Sequence, residues 1–190
     1  MIRRLLCGLA LASLAVTAHA GFGVDELMAE LSTHKSGRVK FVEKRYLAVL
    51  DRPVVATGEM AYTAPDRLEK HTHTPKPETM VLDRDLLSVE RDRRKLSINL
   101  ASRPEALAFV DSIRSTLAGN QAALERNYTL AVSGTPTDWV LTLLPTEQKI
   151  AALLKRITIV GSHNRIRTIE YLLADGDRAE VTIEPIAAEQ

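Results

Sequence analysis

Cysteine is nearly missing from this chain: its one example is Cys7. From residue 8 onward there is no disulfide staple, thiol nucleophile or zinc–cysteine site to consider. Aromatic residues make up only 4% of the sequence, too few for a platform that stacks bases or sugars. Neither sign of charge dominates, with 25 Lys+Arg against 24 Asp+Glu. Phosphate backbones are bound by a surplus of basic residues, so the balance argues against nucleic acid as a partner. Long apolar runs are lacking after the first stretch, and a bilayer-spanning helix needs about 20 such residues in succession. No Gly-x-Ser-x-Gly elbow occurs. What is present is a 45% hydrophobic fraction, enough to build a core and set wholesale disorder aside.

The N-terminus reads as an export signal. Arg3 and Arg4 form a short positive region, residues 5–16 an apolar one, and Ala18-His19-Ala20 a small-residue cleavage site. Residues 1–20 are therefore expected to be a signal peptide, with a single domain over 21–190 in the periplasm and no anchor. Cys7 leaves with the leader, since it lies too early in the apolar segment for lipid attachment. Loss of the two arginines turns the formal charge of +1 into −1.

The remaining pattern is mostly of period two. Val24, Leu27, Met28 and Leu31 predict a short first helix. Val39 and Phe41 then share a strand face, after which Tyr46, Ala48 and Leu50 carry the apolar side, so a bulge is expected near residues 43–45. Val54, Ala56, Gly58, Met60 and Tyr62 alternate in a partner strand, and residues 67–74 read as a polar strand closed by Pro75 and Pro77. Strands follow at 80–82, 86–89 and 94–100. Ser102-Arg103-Pro104-Glu105 fits a capping box, and Ala106, Val110, Ile113 and Leu117 continue at helical spacing to Gly119. After a turn at 121–124, strands return at Tyr128–Val132 and Trp139–Leu143, then as a meander over 154–160, 166–173 and 179–183. Asp175-Gly176-Asp177 marks its last hairpin. The expected architecture is mainly β (α+β), about ten antiparallel strands in one curved sheet that takes helices as a cover.

Three stretches in this order, Phe41-Val42-Glu43-Lys44-Arg45, Gly58-Glu59-Met60-Ala61-Tyr62 and Ala64-Pro65-Asp66-Arg67-Leu68, resemble the LolA family of periplasmic lipoprotein carriers. The Asp-rich turn at 83–85, the mid-chain helix and Trp139-Val140-Leu141-Thr142-Leu143-Leu144-Pro145 extend the resemblance over nearly the whole mature chain. It implies an incomplete antiparallel β-barrel with a helical lid over an apolar cavity that takes acyl chains of a lipoprotein or another lipid. It also implies an inner-membrane transporter as donor and an outer-membrane acceptor. The chain departs from the better-known carriers at Glu43, where Gln is usual, at Ala64, where an Arg holds their lid, and at Lys70, where an aromatic residue is expected. On this reading Val39, Phe41, Met60, Tyr62, Leu68, Leu96 and Ile98 line the cavity, and Val110, Ile113 and Leu117 form the underside of a mobile lid. Ala56, Gly58, Met60 and Ala61 are expected to leave volume for the chain.

Other chemistry is thinner. His71 and His73 share a strand face, with His34 or Asp66 as third donors, but such spacing alone does not make a metal site, and none is assigned. Asp175 and Asp177 belong to a turn rather than to acid–base work. The run Arg91-Asp92-Arg93-Arg94-Lys95 reads as a solvated hairpin tip or a contact for acidic head groups. The expectation is a monomeric carrier with no catalytic residues, no cofactor and no nucleic-acid partner. An accessory module of an envelope assembly, or a His-dependent periplasmic enzyme, is the alternative.

Overall fold

The computed structural model describes residues 22–186, so the expected leader and its cleavage site lie outside the described residues. Helix α1 (Val24–Leu31) precedes six strands that run as a meander: β1 (Ser36–Tyr46), β2 (Val54–Thr63), β3 (Arg67–Thr74), β4 (Glu78–Asp83), β5 (Leu86–Arg91) and β6 (Arg94–Asn99). A 3₁₀ turn at Leu100–Ser102 leads into α2 (Pro104–Leu117) and α3 (Gln121–Glu125). Five further strands follow: β7 (Tyr128–Thr135), β8 (Asp138–Pro145), β9 (Leu154–Ser162), β10 (Arg165–Leu173) and β11 (Arg178–Pro185), with α4 (Gln148–Ala151) between β8 and β9.

All eleven strands join one antiparallel sheet in the order β6-β5-β4-β3-β2-β1-β11-β10-β9-β8-β7. Two meanders are thus welded where β1 meets β11, from Val39 opposite Pro185 to Tyr46 opposite Arg178. The sheet does not close, and β6 and β7 remain as its edges.

The core lies on one side of that weld. Trp139, Leu141 and Leu143 of β8 and Ile157 and Ile159 of β9 are fully buried. They pack with Leu27 and Leu31 of α1, Leu124 of α3, Ile150 of α4 and Tyr128 of β7. Trp139 fits because Gly161 stands opposite it, where a Cβ would run into the indole. The indole Nε1 donates to the carbonyl of His163 at 2.8 Å, which satisfies its polar atom inside the core. At Gly176, φ of +94° supplies the left-handed residue that the hairpin signal required.

Three local expectations are corrected. Strand β1 runs without a bulge, since its register to β2 and β11 is unbroken through residues 43–45. The apolar pattern drifts because a charged residue, Glu43, occupies an inward position. The capping box does not form: α2 starts after Arg103 with no side-chain cap, and the Ser102 hydroxyl donates instead to the Asn99 carbonyl at 2.8 Å. Residues 121–125 are a short helix rather than a turn, capped by Asn120, whose side chain accepts from the Ala123 N–H at 3.1 Å.

Candidate functional site

Pleating and register decide which side chains share the concave face. Val39 and Phe41 of β1 stand opposite Met60 and Gly58 of β2. Tyr62 pairs with Leu68, and Leu68 with Leu82. Met80 pairs with Val89, and Val89 and Leu87 with Leu96 and Ile98. The seven strand positions read from sequence therefore lie on one face. They differ in burial: Phe41 and Tyr62 are buried, Val39, Met60, Leu68 and Ile98 are half-buried, and Leu96 is 57% exposed.

The volume expected beside β2 is smaller than the sequence implied. A Cβ at Gly58 would collide with the His71 carbonyl oxygen and come within 2.9 Å of the Phe41 ring, so that space is already filled. Ala61 belongs to the convex face, opposite Arg38 and Glu69. The open space lies further out. A groove of about 510 Å³ is lined by Glu78, Val89, Arg91, Asp92, Arg94 and Leu96, a volume within the ordinary range of ligand sites.

Helix α2 lies near α1, α3 and α4. Its buried residues are Ala108, Ser112, Ser115 and Thr116, small side chains that allow helices to approach closely. The Ser112 and Thr116 hydroxyls donate to the Phe109 and Ser112 carbonyls at 2.6 Å each, so they are buried without an unmet polar atom. Val110, Ile113 and Leu117 are half-buried, and at about 100° per residue they fall on the side of α2 away from that packed face. Ile113 touches the core, while the Phe109 ring meets Tyr171 of β10 at 5.0 Å between centroids. Arg114 ties α2 to the β4–β5 turn: it donates to the Arg84 carbonyl at 2.6 Å and lies 3.5 Å from Asp85.

Charge inside the concave face was the feature missed from sequence. Glu43 is buried, and its carboxylate accepts from Arg45 at 2.5 Å and from Lys70 of β3. The Lys70 ammonium also sits 4.8 Å from the centre of the Phe41 ring, a cation–π contact. Burial pushes the Glu43 carboxyl up, but the Arg45 hydrogen bond and the Lys70 charge outweigh it, and its pKa falls below the ordinary value of 4.5. Burial, together with the Glu43 charge, raises the Tyr171 phenol, and burial takes Tyr128 up to about 12. Nearer the rim, Arg91 pairs with Glu78, and Arg91 stands directly opposite Arg94. The available signal was phase: Glu43 keeps step with Val39 and Phe41, and Lys70 with Leu68.

The histidines are dispersed. His71 contacts Glu69 at 3.1 Å and Thr79 at 3.3 Å on the convex face. His73 lies at a break in the β2–β3 register, and His34 stacks near Tyr62. Among the described residues no three His, Cys, Asp or Glu side chains gather as a metal site.

Comparison with solved structures finds a LolA superfamily protein of Nitrosomonas europaea, 8% identical, with a TM-score of 0.44 over 89% of this chain and 96% of that one. A DUF1329 family protein of Desulfovibrio piger is 8% identical, with a TM-score of 0.47 over 88% and 92%. Mycobacterium tuberculosis lipoprotein LppX is 12% identical, with a TM-score of 0.43 over 86% and 98%. No curated protein matches the sequence. The family profile described as "Outer membrane lipoprotein carrier protein LolA-like" matches residues 15–189, nearly the whole length, and the chain belongs to that family.

Proposed function

We propose that the chain is a periplasmic carrier, which takes the acyl part of a lipoprotein or another lipid onto the concave face and moves it from the inner to the outer membrane. One observation carries the reading. The concave row Met60, Lys70, Met80, Val89 and Leu96, apolar apart from Lys70, has no member in the buried core cluster, although Met60 packs against it, and the Val110–Ile113–Leu117 side of α2 is likewise only half-buried. A finished core leaves no such surface, whereas a carrier needs one that is partly covered when empty and fully covered when loaded. Each buried methylene of cargo contributes about 0.8 kcal/mol, so one acyl chain supplies most of the affinity. Val39, Phe41, Tyr62, Leu68 and Ile98 form the wall behind that surface, and α2 is its lid. Donor and acceptor are then an inner-membrane transporter and an outer-membrane receptor. The carrier acts as a monomer without catalytic residues or cofactor.

Two measurements test this. Protein isolated from the periplasm should release a defined lipid or lipoprotein on extraction, identified by mass spectrometry. Cysteines replacing Arg114 and Asp85, joined by a short bis-maleimide linker, should leave the fold intact and stop uptake of a fluorescent acyl probe. Uptake that persists after verified crosslinking would sink the lid.

A further inference from the structure

The loop between β1 and β2 is apolar and bare. Val49 is 88% exposed, and Leu50, Val54 and Val55 beside it are exposed as well. The backbone that presents them is held: the Leu50 N–H donates to the Leu47 carbonyl at 2.9 Å, and the Ala48 N–H to the Asp177 carboxylate at 2.8 Å. The Arg178 guanidinium lies 4.2 Å from the Tyr46 ring at the loop's base. A second exposed leucine, Leu153 at 57%, lies at the start of β9, at the same end of the sheet. It is three strands from β1, about 14 Å at the usual strand spacing.

Charge at this end has one sign in excess. Among the tips at 47–53, 75–77, 92–93 and 174–177 and the strand ends beside them, Arg45, Arg52, Lys76, Arg91, Arg93, Arg94, Lys95 and Arg178 outnumber Asp51, Glu78, Glu90, Asp92, Asp175 and Asp177. At the opposite end the two signs balance, with Asp66, Asp83, Asp85 and Asp138 against Lys35, Arg67, Arg84 and Arg165. The groove lined by Val89, Arg91, Arg94 and Leu96 opens at the basic end. Apolar side chains on a held loop, set among cations beside the mouth of a groove, form the composition that lodges in an anionic lipid surface.

We propose that this end of the sheet docks on an anionic bilayer, with Val49 and Leu50 seated among the acyl chains and the basic hairpin tips against the head groups. This goes beyond the carrier reading and does not depend on what the groove holds. Docking places the groove at the membrane surface, so cargo passes between them without crossing water.

The experiment is sedimentation of the chain lacking residues 1–20 with sucrose-loaded vesicles at low salt. The wild type should bind vesicles of phosphatidylglycerol and phosphatidylethanolamine at least tenfold more tightly than vesicles of phosphatidylcholine. Val49→Asp with Leu50→Asp should weaken binding tenfold or more while melting temperature and uptake of a soluble acyl probe stay unchanged. Arg52→Glu with Arg93→Glu should remove the preference for anionic lipid. Leu86→Asp, at the opposite end and itself 49% exposed, should change nothing. Wild-type binding that ignores lipid charge overturns the proposal, as does equal loss in the Leu86 variant. Binding that appears only when the vesicles carry membrane proteins would assign the surface to a protein partner and overturn it as well.

Discussion

The two halves of this sheet share a continuous hydrogen-bonded ladder and little else. From β7 to β11 the concave side chains pack against α1, α3 and α4, and the buried core cluster draws on these strands, on β1 and on the helices. No residue from β3 to β6 belongs to that cluster, and in those strands Leu82 is the one fully buried hydrophobic residue. The boundary is marked chemically by Glu43, Arg45 and Lys70, an ion cluster where two purely structural layers would meet through aliphatic contacts. Hydrogen bonding makes a sheet, but only apolar cover makes a core. One half has been given its cover, and the other has been left for something else to supply it.

The comparison can be broken at its strongest point first. Trp139→Ala removes a fully buried indole from the packed half and should cost about 3–5 kcal/mol, read from denaturant midpoints. The same experiment on Leu96→Ala, in the open half, should give less than about 0.5 kcal/mol, because the side chain is already largely in water. Equal costs would erase the distinction between the halves.

At the boundary the expected effect is intermediate. Glu43→Gln leaves Lys70 and Arg45 without their anion and should cost about 1–3 kcal/mol, moderated by the partial exposure of both cations. The pH dependence has a definite sign. The carboxyl is held below its ordinary value in the folded chain, so its stabilisation is full above the unfolded pKa of about 4.3 and is lost as pH falls through the folded value. Wild-type stability should therefore drop on acidification below that range, and the Gln variant should drop less. Glu43→Leu with Lys70→Leu should be close to neutral if the cluster serves the cargo rather than the fold. Arg114→Ala should cost less than the Glu43 change, about 0.5–1 kcal/mol, since this tether is partly exposed. It should instead speed amide exchange in α2 relative to β8 and β9.

Much of the fold was legible because antiparallel strands alternate and turns carry their own residues. Strand β3 begins at Arg67 and ends at Thr74 as its flanking prolines indicate, and the meander after residue 154 falls between the turns read from sequence. What stayed hidden depended on neighbours distant in the chain. Glu43 is tolerated inside only because Lys70 arrives from β3, so local periodicity presented it as a bulge. Gly58 suggested empty volume, yet Phe41 and the His71 backbone fill it. In α2 the apolar spacing gave no sign that serine and threonine form the packed face, which they do by bonding to their own helix carbonyls. For the site, alternation was enough to put the seven strand positions on one shared face, but not to show the charged lining or where the groove opens.

Trp139 is the chain's single tryptophan, and it lies at the centre of the packed half, sealed by Gly161 and the His163 carbonyl. Its fluorescence therefore watches that half alone. Movement or unfolding of β3 to β6 leaves the indole's surroundings unchanged and passes unseen in tryptophan emission, although far-ultraviolet circular dichroism registers it. A ligand that orders the open half will raise the thermal midpoint seen by dichroism more than the one seen by fluorescence. The natural spectroscopic label of this protein is thus a built-in reference channel, against which the other half can be followed.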